Sequence, residues 1–163
     1  MDGVCVSVIG GSSCTARISA LGEQLGELLA ERGCTVVCGG KSGVMEAVAR
    51  GVRRRGGCSV GILPGLDRHD AAPDLTLTVA TGIGHARNLA VVASGDVVIA
   101  LGGAWGTLSE IGLARSIGRQ VVLLDSWTVT AAEGELDGLH RAADAPQAVE
   151  LALALARGDA QPG

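Results

Sequence analysis

The chain has 163 residues, enough to bury a sizeable core, and 47% of them are hydrophobic, yet there is no Phe or Tyr and only two Trp, Trp105 and Trp127. With so few aromatics there is no stacking platform for single-stranded nucleic acid, and a formal net charge of −4 argues further against a nucleic-acid partner. Met1 leads straight into a strand without a charged, apolar leader, and no apolar run reaches the ~20 residues that span a bilayer, so a cytoplasmic protein with no membrane partner is expected.

In chain order, strands are expected at 4–10 (VCVSVIG), 34–38 (CTVVC), 58–63 (CSVGIL), 75–80 (LTLTVA), 96–101 (DVVIAL) and 120–124 (QVVLL). Helices fit 15–32, 43–55, 86–94, 106–117 and 146–157, and the last residues, GDAQPG, read as a loose tail. Strands alternating with helices point to an α/β fold, Rossmann-like, with an open, mostly parallel sheet of about six to seven strands and helices on both faces. Runs such as VVIAL are apolar throughout, as strands buried on both faces are. No linker or repeat interrupts the chain, so residues 1–163 read as one nucleotide-binding domain. The five cysteines form no Cys-x-x-Cys pair and lie near no histidine at ligand spacing, which leaves reduced thiols and no metal site.

Glycine-rich turns follow four of these strands: GGSS at 10–13, GGKSG at 39–43, GIG at 82–84 and GGAWG at 102–106. All fall at carboxyl ends, the edge where open parallel sheets bind ligands and where helix N-termini favour anions. Two named motifs fail. Gly40-Lys41-Ser42 ends like a P-loop, but the motif's first glycine falls at Thr35, and GGSSCT after the first strand is no G-x-G-x-x-G. Arg53–Arg55 read as a solvated helix end complementing the dipole, stopped by glycine. His69 and His140 fall in polar loops. His85 is closer to the glycine turns but shows no partner for general-base work.

The segment 81–111 carries the sharpest signal. Arg87 and Glu110 each sit in the first turn of a helix that follows a glycine turn, with one strand between them. Two readings of Glu110 stand. Thr107 with Glu110 can form a capping box, or Glu110 can aim a carboxylate at a sugar beside a phosphate cradle, with Arg87 its partner.

GGAWGTLSE at 102–110 resembles the GGxGTxxE core of the LOG (Lonely Guy) family, often mislabelled lysine decarboxylases. HARN at 85–88 is similar to that family's His-x-Arg-Lys element, 23 residues ahead of the glutamate, and 39–65 resembles its glycine turn, helix and third strand. The resemblance covers about residues 3 to 125. It implies a Rossmann-like homodimer or larger homo-oligomer that hydrolyses nucleoside 5′-monophosphates to free base and ribose 5-phosphate without a cofactor. On that carry-over Arg87 and Glu110 are the catalytic pair. Gly102, Gly103, Gly106 and Thr107 hold the phosphate, and Gly11, Ser12, Gly40, Ser42, Gly43, Met45 and Asn88 line the rest of the pocket.

Three departures stand out. Leu101 takes the place of the proline before the glycines, Asn88 replaces the lysine after the arginine, and Glu46 replaces a glycine. VMEAVARG, GILPG, GHARN and GTLSEI look more like a sister branch that includes molybdenum-cofactor carrier proteins. The alternative expectation is therefore a non-catalytic nucleotide or molybdenum-cofactor carrier. A lysine decarboxylase is excluded, because a pyridoxal enzyme needs a Schiff-base lysine and the single Lys41 sits in a turn suited to an anion.

Overall fold

The computed structural model describes residues 3–159. The elements run β1 (Cys5–Gly10), α1 (Ala16–Glu31), β2 (Thr35–Cys38), α2 (Val44–Arg54), β3 (Cys58–Leu63), β4 (Leu77–Ala80), α3 (Arg87–Ser94), β5 (Val97–Leu101), α4 (Trp105–Ser116), β6 (Val121–Leu124), β7 (Leu139–Ala142) and α5 (Ala145–Arg157). The seven strands form one all-parallel sheet in the order β4-β3-β2-β1-β5-β6-β7, an α/β Rossmann-like fold. Every residue of β5 is buried, as its unbroken apolar run requires between two helical layers.

The two layers are unequal. One face packs α1, α2 and α5 over Val6, Val8, Val36, Ile99 and Val122. The other carries only α3 and α4, eight and twelve residues long, over Ile9, Val37, Ile62, Val98 and Val121. At that face's outer margin Leu77 and Val79 of β4 pair in register with Val60 and Ile62 and are 59% and 48% exposed.

Helices α1 and α2 approach closely because two glycines allow it. A Cβ on Gly26 would fall on the Val48 carbonyl, and one on Gly51 on the Glu23 carbonyl. Along this crossing the arginines at the end of α2 are not simply solvated. Arg54 pairs with Glu23 (2.6 Å), and Arg55 pairs with Glu27 (2.8 Å) and Glu31 (3.2 Å).

The expected six strands are present, and β7 is a seventh. LHRA has no apolar run and pairs only on one side, at the edge beside β6, so its composition resembles a loop. His140 is accordingly not a surface loop residue but a half-buried strand residue whose Nε2 is hydrogen-bonded to Gln120 Oε1 (2.8 Å). The tail from residue 160 lies outside the described residues. Among those described, all five cysteines are free and no cluster of His, Cys, Asp and Glu could hold a metal. No helix among them is long and apolar enough to cross a membrane.

Candidate functional site

Strand order reverses between β1 and β5, so the connections leaving their paired carboxyl ends run in opposite directions and open a crevice, the place where doubly wound sheets bind ligands. The turn after β1 is fastened to the turn after β2. Ser42 Oγ donates to the Ser12 carbonyl (2.8 Å) and Val44 N–H donates to the Gly11 carbonyl (3.0 Å). The turn after β5 runs directly into α4.

The capping-box reading of α4 does not hold. The N-cap is Ala104, extended at φ −86 and ψ 156, with no side chain to accept from the first turn. Thr107 is the third helical residue and Glu110 the sixth, so Glu110 stands in the second turn and cannot reach back to the N-cap amide. Thr107 Oγ1 is buried without a hydrogen-bond partner. Helix α4 therefore presents an uncapped first turn and an unsatisfied hydroxyl at one place, the arrangement an anion completes. Counted back from Glu110, the GGxGTxxE spacing falls on Gly103 and Ala104, with Trp105 between them and Gly106. The position before the motif is then Gly102 rather than Leu101, which is a buried β5 residue. Ala104 needs no glycine because its backbone is extended.

Arg87 begins α3, and Glu110 reaches the same cavity from α4. The cavity, of ≈ 310 Å³, is walled by Gly11, Ser12, Ser42, Asn88, Thr107 and the two charged groups. The Arg87 guanidinium donates from one nitrogen to two carbonyls at strand ends, Gly39 of β2's turn and Ile62 of β3. Glu110 is only 8% exposed and makes no direct ion pair with Arg87. Burial pushes its carboxyl up to about 7 against the downward pull of the Arg87 charge. Burial likewise lowers the Arg87 pKa, opposed by Glu110 and Cys38. Beneath them the Cys38 thiol is pushed up to about 11, chiefly by burial, and is inert near neutral pH.

Of the sequence-selected residues, Gly106, Thr107 and Met45 also line this cavity. Gly102 and Gly103 line an adjoining one of ≈ 330 Å³ with Ser13, Cys14 and Thr15, and the two cavities share Gly11 and Ala104. Gly40 and Gly43 line neither. Gly40 turns the chain at φ 71 against Gly61 and Leu63, and Gly43 at φ 73 caps α2 against Gly11 and Ser12, so both shape the turn rather than face a ligand. Lys41, Pro64 and His85 line the site and were not selected as site residues from the sequence. Lys41 carried a signal in being the only lysine, and His85 in lying two residues before Arg87.

Larger cavities of ≈ 450 and ≈ 630 Å³ lie at the β6–β7 end. Their arginines are engaged, Arg17 with Asp125 and Arg141 with the Trp127 carbonyl and Thr128, whereas the smaller crevice holds a buried carboxyl facing an arginine.

The chain is similar to known proteins across most of its length. It is 31% identical over 134 residues to the cytokinin riboside 5′-monophosphate phosphoribohydrolase of Mycobacterium tuberculosis, covering 77% of this chain and 68% of that one. It is 37% identical over 111 residues to a protein of Oryza sativa subsp. japonica named a probable cytokinin riboside 5′-monophosphate phosphoribohydrolase, covering 66% of this chain but 45% of the rice protein. The structure of the molybdenum cofactor binding protein from Rippkaea orientalis superposes with a TM-score of 0.83 at 31% identity, covering 93% and 96% of the two chains. Likeness to DNA processing protein A from Helicobacter pylori, at 20% identity and a TM-score of 0.61, is one of fold alone. With its glycine turns, its Arg87–Glu110 crevice and a family model matched over residues 3–152, the chain belongs to the SLOG cluster4 family.

Proposed function

We propose that the protein hydrolyses the N-glycosidic bond of a purine or modified nucleoside 5′-monophosphate, releasing the base and ribose 5-phosphate. The observation that carries this reading is the meeting of Arg87 and Glu110 in one cavity beside the uncapped start of α4. The phosphate sits on the N–H groups of the Gly103–Gly106 turn and on Thr107 Oγ1, satisfying a hydroxyl that otherwise has no partner. The ribose then lies over Glu110, whose carboxylate stabilises the positive charge that develops at the anomeric carbon as the base departs, and orients the attacking water. Arg87, fixed on the Gly39 and Ile62 carbonyls, favours the ionised carboxylate against the burial that raises its pKa to about 7. The phosphoribohydrolase relatives act on the same class of substrate by name.

Incubation with a panel of nucleoside 5′-monophosphates, with free base measured by chromatography, tests the reading. Base release from at least one purine monophosphate is expected, and its absence across the panel overturns the enzyme. The second reading is a carrier for a phosphorylated ligand such as molybdenum cofactor. The near-complete overlay on the Rippkaea orientalis cofactor-binding protein favours it. It predicts binding without base release, unaltered by Glu110→Gln.

The same reading makes the protein a homodimer. The thin α3–α4 layer leaves Leu77, Val79, Ile83 and Leu89 exposed on one side, a surface a second copy would cover.

A further inference from the structure

We infer that Lys41 is the cation that holds the ligand's phosphate, and that Arg87 is not. The inference rests on the phosphate-bearing ligand proposed above, and it is carried by which positive charges in the crevice remain unengaged. Arg87 is half-buried and faces Glu110; its Nη1 is committed to the Gly39 and Ile62 carbonyls, while its Nε is buried without a partner. A phosphate drawing it away would leave two carbonyls without their donor and a buried carboxylate without its counter-charge.

Lys41 is the chain's single lysine, half-buried in the turn between β2 and α2, and it lines the same cavity as Thr107 and Glu110. No carboxylate among the described residues pairs with it, whereas Arg17, Arg32, Arg50, Arg53, Arg54, Arg55 and Arg115 all have acidic partners. On the α4 wall of that cavity is Thr107 Oγ1, a hydroxyl 99% buried with its residue and lacking any partner. An ammonium without an anion and a hydroxyl without a partner, across one ≈ 310 Å³ space, are complementary halves of a phosphate site. The Ser42–Ser12 hydrogen bond fixes the Lys41 turn to the β1 turn, so the ammonium's stem is held over the crevice. Lys41 is thus a binding residue, and Glu110, with Arg87 as its counter-charge, is left for the sugar.

The test compares the parent with Lys41→Met and Lys41→Arg. Inorganic phosphate and adenosine 5′-monophosphate are the probes, affinity is read by calorimetry, and steady-state base release is followed separately. Lys41→Met should weaken binding of both probes at least about tenfold, the scale of one charge-assisted contact. Lys41→Arg should retain most of the affinity. If base is released, Lys41→Met should raise KM with kcat within about threefold, since the phosphate charge is the same in the ground and transition states. Unchanged phosphate affinity in Lys41→Met overturns the assignment while leaving the hydrolase standing. Lys41-dependent phosphate binding in a parent that releases no base does the reverse. A parent that binds neither probe overturns both. A melting temperature for Lys41→Met near that of Lys41→Arg shows that the lost affinity is not lost folding, and lost affinity that follows a lower melting temperature overturns the assignment.

Discussion

Glu110 illustrates how burial sets chemistry. A carboxyl near 4.5 in the unfolded chain and near 7 in the folded one favours the protonated native state. That contribution to stability is full below about pH 4.5 and is lost as pH rises through about 7, a loss of up to about 3 kcal/mol. Glu110→Gln should therefore melt lower than, or level with, the parent in acid, gain on it as pH rises from about 4.5 to about 7 and keep that gain above, as thermal scans across pH would record. Catalysis demands the opposite, an ionised carboxylate. Base release should climb as pH rises through about 7 and fall at least ~100-fold in Glu110→Gln with monophosphate binding kept. Turnover that survives the substitution removes Glu110 from the reaction.

Gly39 gives a second residue-scale outcome. A Cβ there would stand 2.6 Å from Arg87 Nη1 and 2.7 Å from Met45 Sδ, while the backbone accepts alanine. Gly39→Ala should dislodge the guanidinium, raise the pH at which Glu110 ionises, and cut base release at least ~10-fold with the fold intact. Circular dichroism and a pH–rate profile separate these effects. The pair Arg87 and Glu110 was legible because glycine turns and carboxyl strand ends place residues coarsely. The carbonyl seat of Arg87 was not, since it joins β2 and β3 to α3 across 48 and 25 residues.

At the scale of elements, α4 shows stability yielded at its first turn. A cap at Ala104 would ordinarily be worth ~1 kcal/mol. Ala104→Asp should raise the melting temperature by a few degrees and weaken phosphate binding at least ~10-fold, because the new carboxylate occupies the anion's place. Phosphate affinity equal to the parent's would show that this turn is not the cradle. The same helix explains a misreading. Thr-x-x-Glu has capping-box spacing wherever it occurs, and only the helix start, three residues earlier at Ala104, shows that Thr107 and Glu110 are interior. The six apolar strands were legible from hydrophobicity alone. The seventh was hidden because an edge strand with one covered side has little apolar requirement, so LHRA carries no such mark.

For the whole molecule, the imbalance between the two helical layers governs association. Replacing Leu77 and Val79 by Asp together should convert the expected dimer to a monomer in light scattering, with the α1–α2–α5 core untouched. A parent that is itself a monomer at micromolar concentration removes the proposed interface. Composition announced an excess of apolar surface, but which face keeps it follows from strand order and from the shortness of α3, neither of which is written locally.

The turns opposite the crevice have a different fate. Gly33, Gly56 and Gly118 return the chain from helix to strand at the amino edge, each exposed and with open space where a side chain would project. No group that lines either crevice cavity comes from them. The sheet is thereby split into a working rim and a permissive rim. A flexible peptide spliced in after Gly118 should cost little melting temperature and leave phosphate affinity within about twofold, whereas the same insert after Gly103 should abolish binding. Such a molecule can accept new appendages, tethers or partner epitopes along one rim while the chemistry of the other stays unchanged.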